Sequence, residues 1–422
     1  MQKRIFHGDY WRIVVFNENK KLGIKGLNKF MDKYYLILIQ LIKSALSCES
    51  VPMDIKNEIN DESLREVLKI AKRHDMCHLA ADGLYKSGLL DQETQMGALF
   101  MQYRIIALMR YEKINYEYQQ LCALLEKIHV PFVPLKGSVL RNYYPEPWMR
   151  LSCDIDILIK DSDVDIALDS ISEELNYRVD KRGEYDISLF SKNSTHLELH
   201  FGLMESMFAA SKSLSMIWDC VFPTANGKMQ QVMSDDVFYY HQIAHMAKHF
   251  ASNGCGIRFF VDMWVLNNSK AFNKTERYKE YLREVNLDNF EIFAVELSNV
   301  WFGKEKHSET TLAMQNYVFH SGLYGTTKNH YASLQIKSGG KNRYAVSRII
   351  LPFNKLVQKY PYLETHKYLL PFYQVKRWVE IIFNGRVKKS VAELRNNAEV
   401  SEEYTSQIYR MFKKLKLYDR IK

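Results

Sequence analysis

PLKGSVLRNYYPEPWMRLSCDIDILI, Pro134–Ile159, packs a basic glycine turn, a short helical run and an acidic strand start into 26 residues. It continues a short apolar run, Val130 to Leu135, whose β-branched and aromatic residues predict a strand. Pro131 and Pro134 confine that strand to a sheet edge or to strand ends. Lys136-Gly137-Ser138 follows as a turn. Residues 138–144 return to helical spacing until Pro145 and Pro147 break it. Asp154 to Ile159 alternates and then becomes fully apolar, which predicts a half-buried strand.

Outward from this unit, Asp163 to Leu175 reads as a helix with Ser162 as its N-cap. Tyr185 to Phe190 and Thr195 to Phe201 read as two further strands. Upstream, residues 33–128 read as helical. Leu64, Val67, Leu68, Ile70 and Ala71 recur at helical spacing, and Gly83 and Gly88 punctuate the pattern. A longer helix is expected from Glu93 to Ile128, with Leu99, Tyr103, Ile106, Leu108 and Met109 among its apolar positions. Downstream, Ser234 ahead of Asp235 and Asp236 is a helix start. The rest is mostly helical, with a turn at Asn253-Gly254-Cys255-Gly256. The expected class is α+β. A small mixed-sheet core at 129–225 is flanked by a helical region at 34–128 and another at 226–422. Residues 1–33 form an extension of weak periodicity, and Met31 is an alternative start.

At 422 residues, 47% hydrophobic and 25% charged, the chain fits two or three domains with a substantial core. The net charge of +9 suits a protein that meets nucleotides or polyanions. From Pro371 to Lys422 there are 12 Lys/Arg against 6 Asp/Glu, read as a solvated basic helical face. The cysteines, Cys48, Cys77, Cys122, Cys153, Cys220 and Cys255, form no CxxC pair. That spacing argues against a disulfide framework or a thiolate metal site, and a reducing cytoplasm is the simplest setting. No apolar h-region with a small-residue cleavage site follows the basic N-terminus, so no signal peptide is expected; the apolar run Tyr34 to Leu46 is short and contains Gln40 and Lys43, so no membrane span is expected, and no membrane partner.

Three pieces carry chemistry. In Lys136-Gly137-Ser138, a glycine permits close backbone approach, the following helix start offers N–H groups to an anion, and Lys136 and Ser138 add a charge and a hydroxyl. Together these can cradle a triphosphate. Asp154 and Asp156 are i and i+2 of a strand, so their carboxylates face one side and repel unless a cation sits between them. Mg²⁺ suits such a pair together with substrate phosphates. The alternation in His196-Leu197-Glu198-Leu199-His200 puts Glu198 on one face with His196 and His200. There it can serve as a third metal ligand or as a proton acceptor.

The order of these pieces resembles the polymerase-β-like nucleotidyltransferase superfamily. Pro134–Ile159 is similar to one branch, the bacterial uncharacterised nucleotidyltransferases, which carry a Leu-Lys-Gly turn, Tyr-Tyr-Pro, an arginine before the aspartates and Asp-Ile-Asp. Leu197-Glu198-Leu199-His200-Phe201, the His241/His245/His249 helix, and Arg258 with Asp262 also look like that family, so the resemblance covers most of the chain from about residue 34. It implies a metal-dependent transfer of an NMP from an NTP to an acceptor hydroxyl, with Mg²⁺ or Mn²⁺ as cofactor. Gly137 and Ser138 would hold phosphates; Asp154, Asp156 and Glu198 would hold metal. Arg150 would contact a phosphate or brace the loop. Cys153 departs from the family, where a small or hydroxyl residue is more usual, and it could make the site sensitive to thiol reagents.

His241, His245 and His249 share a helical face. They are expected at the interface with the core, near Asp262, with His200, His245, His249 and Asp262 as accessory site residues. Two alternatives stand beside the enzyme reading. One is a nucleotide-binding protein of the same fold without turnover. The other is a zinc hydrolase using the histidine helix, although no HExxH pattern accompanies it. A small molecule or a protein is expected as acceptor ahead of RNA, since no RNA-binding module is recognisable.

Overall fold

The computed structural model describes residues 24–47, 49–203, 217–224, 228–323, 325–385 and 387–418. Most of the expected N-terminal extension, and Cys48, lie outside the described residues. Helix α1 (Ile24–Ser47) already begins inside that extension. Helices α2 (Asp61–His74) and α3 (Cys77–Lys86) follow, then α4 (Gln95–Lys127), started by Thr94, whose side chain accepts the Gly97 N–H.

At 33 residues, α4 is about 50 Å long. Its first half buries Met96, Phe100 and Ala107 in a large helical core. Its second half buries Ile114, Leu121, Leu124 and Leu125 in a second core beneath the sheet. The apolar phase expected here is wrong in its middle: Ile106 and Met109 are exposed, and Ala107 is the buried residue. Near its centre the helix passes from one core to the other, so no single periodic stripe describes it.

Five strands form a mixed sheet in the order β1-β2-β5-β4-β3: β1 (Phe132–Pro134), β2 (Asp154–Ile159), β3 (Arg178–Arg182), β4 (Asp186–Phe190) and β5 (His196–His200). The proline-bearing β1 is an edge strand, as expected, and runs antiparallel to β2. The β2–β5 pair is parallel, and β5–β4–β3 is antiparallel. Along β2, Ile155, Ile157 and Ile159 enter the core shared with α4 and with α6 (Val164–Leu175). Asp154 and Asp156 take the opposite face. The α6 start differs from expectation: Asp161–Asp163 forms a 3₁₀ turn, so Ser162 lies inside that turn and does not cap the helix.

Strand β3 was not foreseen. All five residues of Arg178-Val-Asp-Lys-Arg182 are exposed, so it lacks an alternating pattern. A short ribbon of β6 (Val221–Pro223) and β7 (Gln231–Met233) was also not foreseen; it lies beside β1, where the Phe132 N–H donates to the Met229 carbonyl. Helix α7 (Asp235–Ser252) is capped by Ser234, whose hydroxyl accepts the Val237 N–H, and α8 (Ile257–Asn268) follows the Asn253–Gly256 turn. Helices α9 (Asp288–Phe302), α10 (Glu309–Ser321) and α11 (Thr327–Ser338) pack with α1–α3 around one apolar core. Among the described residues, no helix is long and apolar enough to cross a membrane.

Gly88 is a true punctuation point, with φ +67°. Gly83 is not: it sits inside α3, where a Cβ would meet the Leu41 carbonyl oxygen of α1 at 2.0 Å. Gly83→Ala should therefore force α1 and α3 apart and cost about 1–3 kcal/mol or more in urea unfolding, clearly exceeding Gly88→Ala, where the space is open and only backbone strain of about 1 kcal/mol applies.

His74 joins the N-terminal helices to the start of α8. Its Nδ1 accepts the Ile257 N–H at 3.4 Å while its ring meets Tyr35 edge-on. Burial, with Arg73 beside it, pushes its pKa down to about 3. The unfolded chain takes up a proton below about pH 6.5 that folded His74 refuses, so its contribution is present above pH 6.5 and is lost as pH falls toward 3. Stability should drop by about 1.4 kcal/mol per pH unit in that window. His74→Gln should flatten the slope of urea midpoint against pH between 7 and 5.

Candidate active site

Parallel pairing of β2 with β5 sets Asp156 opposite Glu198 and Asp154 opposite His196. The apolar partners of each strand, Ile155, Ile157, Leu197 and Leu199, are fully buried on the other face. Strand periodicity thus turns Asp154, Asp156, Glu198 and His200 together into one cleft. The cleft holds about 440 Å³ and has its second wall on α7 and α8.

The turn after β1 aims Lys136 into the carboxylates. Its Nζ lies 2.6 Å from Asp156 Oδ1 and 3.7 Å from Glu198 Oε2. Lys136 has φ +44°, a region that side chains rarely adopt, and such strain concentrates at functional sites. Gly137 follows in tight quarters, where a Cβ would approach Ser152 Cβ to 3.0 Å. The expected helix behind the turn is a single turn, α5 (Gly137–Leu140), continued by a 3₁₀ turn at Arg141–Tyr143. The Ser138 N–H is already donated to the Leu135 carbonyl, and Ser138 is buried and does not line the cleft. The wall of the cleft at this turn is Lys136 and Gly137.

His200 completes the cluster, with Nε2 3.0 Å from Asp156 Oδ1 and 3.4 Å from Glu198 Oε2. Burial disfavours its charged form, but hydrogen bonds to both carboxylates outweigh that and raise its pKa. Burial likewise works against ionised Asp156, yet Lys136 and His200 hold it well below the carboxylate range. Glu198 is lowered chiefly by the His200 hydrogen bond. Asp154 is raised, by burial first and by neighbouring Asp156 second.

Arg150 braces the loop. It is buried and donates through Nε to Asp262 Oδ1 at 2.6 Å and through Nη2 to Oδ2 at 3.0 Å. Nη1 donates to the Leu151 carbonyl, and Tyr144 donates to Asp262 Oδ1 at 2.6 Å. Asp262 is therefore taken by Arg150 and Tyr144, not by the histidine helix. His245 and His249 instead hydrogen-bond each other through Nε2 at 3.1 Å, and His241 Nδ1 meets the Gln242 amide. All three histidines line the cleft. Burial pushes His241 down to about 3 and His249 to about 4, and lowers His245 strongly, so these imidazoles are neutral near pH 7.

Two groups of donors converge closely enough to hold a cation: Asp156, Glu198 and His200, and Asp154, His196 and Glu198, each with ligand atoms within 4.8 Å of one another. Carboxylate oxygens predominate, a donor set that fits a hard divalent ion such as Mg²⁺ or Mn²⁺.

Lys248, Tyr185, Asp186 and Phe259 also line the cleft and were not foreseen. Lys248 had a legible signal, lying three residues after His245 on the same helical face. Tyr185 and Asp186 depend on the β4–β5 pairing and had none. Arg258 bridges to Asp75 of the N-terminal helices at 3.6 Å. Cys153 is exposed at the cleft and accepts a hydrogen bond from Arg110 at 2.9 Å.

A sequence profile described as "Uncharacterised nucleotidyltransferase" matches residues 60–303, more than half of the chain and all of this site. No curated protein and no solved structure is significantly similar to the chain.

Removing one member of the buried Arg150–Asp262 pair strands the other. Asp262→Ala should cost about 3–5 kcal/mol, and the double replacement Arg150→Met with Asp262→Leu should recover much of that loss. A double-mutant cycle in urea measures both.

Proposed function

This chain belongs to the family of uncharacterised nucleotidyltransferases, and on that premise we propose that it moves an NMP from an NTP to a hydroxyl of an acceptor. One observation carries the reading. Asp156 faces Glu198 across a parallel strand pair, with Asp154 beside them and the strained Lys136-Gly137 turn aimed at the same point.

A divalent ion, Mg²⁺ or Mn²⁺, held by Asp154, Asp156 and Glu198, would supply neutralisation of phosphate charge and polarisation of phosphoryl oxygens. The protein positions the rest. Gly137 lets the β and γ phosphates approach the backbone, and Ser138 supports the turn from behind. The Lys136 ammonium, held charged by Asp156 and Glu198 against the cost of burial, can swing to a phosphate oxygen. The acceptor oxygen attacks the α-phosphorus, a new P–O bond forms, and the bond to the β-phosphate oxygen breaks, releasing pyrophosphate. Glu198 takes the hydroxyl proton, while His200 fixes the orientation of the carboxylates. Arg150 acts through Asp262, holding the loop before β2 against α8. In this reading most of the rate comes from positioning and charge neutralisation. His245, His249 and Asp262 shape the far wall, where a small-molecule or protein acceptor is favoured.

Intact Asp154, Asp156 and Glu198 speak against a nucleotide binder without turnover. The mutual hydrogen bond of His245 and His249 speaks against a zinc hydrolase, and among the described residues neither histidine falls in a group of donors close enough to hold a metal.

Incubation with each labelled NTP and Mg²⁺, followed by mass spectrometry of the protein and of cell extract, should reveal a nucleotidyl mass increment. Asp156→Ala should abolish it while the circular dichroism spectrum is kept; unchanged turnover would sink the mechanism. Stoichiometric zinc lost on His245→Ala would favour the hydrolase instead.

A further inference from the structure

Helix α12 (Leu370–Phe383) is built inside out. Gln374, Arg377 and Glu380 face the protein. The Gln374 amide both donates to the Leu351 carbonyl at 2.7 Å and accepts the Leu351 N–H at 3.3 Å. Arg377 is buried and donates to the carbonyls of Arg348 and Ile349, and the Trp378 indole donates to Ile349. Glu380 is held by Lys359 at 2.6 Å and by Tyr360.

Its apolar side chains face outward. Phe372, Val375, Val379, Ile382 and Phe383 are between 43% and 85% exposed. Their spacing of i, i+3, i+7, i+10 and i+11 makes one continuous stripe along the helix. Val387 and Val391 of the next helix, α13 (Val387–Glu399), are also exposed. A surface helix normally buries such a stripe, and contiguous exposed apolar area marks an interaction site.

The surrounding charge selects the occupant. Lys367, Lys376, Lys388 and Lys389 are exposed around the stripe, and the one acid of residues 367–391, Glu380, is already engaged by Lys359 and Tyr360. Lys376 adjoins the stripe, and Lys388 and Lys389 follow it, all exposed. Pairing this face with itself in a second copy would press like-charged rims together. An anionic lipid surface answers both features, because aromatic and aliphatic side chains enter the headgroup–acyl boundary while lysines meet phosphates. The nucleotidyltransferase profile ends at residue 303, so this helix lies beyond the matched region.

We propose that α12 and the start of α13 form a docking face for anionic phospholipid membranes, holding the protein on a bilayer surface without spanning it. The test is co-sedimentation of the full chain with vesicles of phosphatidylcholine alone or mixed with phosphatidylglycerol. The expected result is binding to the mixed vesicles that weakens with added salt, and little binding to phosphatidylcholine. A Phe372→Ser, Ile382→Ser, Phe383→Ser variant should lose at least about tenfold in partition coefficient, since it removes three of the large apolar side chains that would enter the bilayer. Lys376→Glu, Lys388→Glu, Lys389→Glu should abolish the preference for anionic lipid, and it leaves the apolar stripe intact should the serine variant fail to fold. Equal, negligible sedimentation with both vesicle types overturns the proposal. So does a dimer in light scattering that the serine variant dissociates, which would assign the face to a second copy. Neither readout depends on nucleotidyl transfer.

Discussion

The buried bidentate pair between Arg150 and Asp262 is the constraint on which the site depends. It connects the loop entering β2 with a helix 112 residues later in the chain. Because α8 follows α7 after a tight turn, fixing α8 also fixes where the histidines of α7 stand relative to the carboxylates. The sheet alone makes only one wall of the cleft. The ion pair, with Tyr144 as a third member, brings up the other. Its desolvation is offset because Nε, Nη1 and Nη2 of the guanidinium and both carboxylate oxygens have fixed partners.

Within that frame, charge is distributed unevenly by design of the strand register. Asp156 is the carboxylate held most firmly ionised, compensated by Lys136 and His200, whereas Asp154 one step along the same strand is pushed toward protonation by burial and by Asp156. The neutral histidines of α7 add no further positive charge to a cleft that already contains Lys136, Arg258 and Lys248. An anionic ligand entering here meets cations on one side and, on the other, carboxylates that require a counter-ion of their own.

Much of this was legible from residue pattern. Strict alternation in His196–His200 and the Asp-Ile-Asp start of β2 identify two strands and the faces on which their polar groups fall, because each buries isoleucines or leucines on its other side. The prolines of β1 identify an edge. Ser234 identifies a helix start. What was not legible has physical causes. Arg178–Arg182 pairs through backbone alone and buries no side chain. The ribbon of β6 and β7 is too short for a period. Gly83 looks like a breaker in one dimension and is a contact point between helices in three. The Asp262 partnership depends on two segments more than a hundred residues apart, and no local spacing encodes it.

The length of α4 has a consequence for how the molecule loses its structure. One unbroken helix is shared by the helical core and by the layer under the sheet, so neither can dissolve without exposing half of a helix whose other half remains buried. Opening of one region therefore carries a cost in the other, and this shared helix couples the two although they enclose separate interiors. The cleft rests on both sides of that arrangement. Its carboxylates stand on the layer under which α4 ends, and its far wall belongs to the core in which α4 begins. The strut thus runs beneath both walls, which also meet directly where Val133, Leu135 and Leu158 join the apolar cluster of α7 and α8.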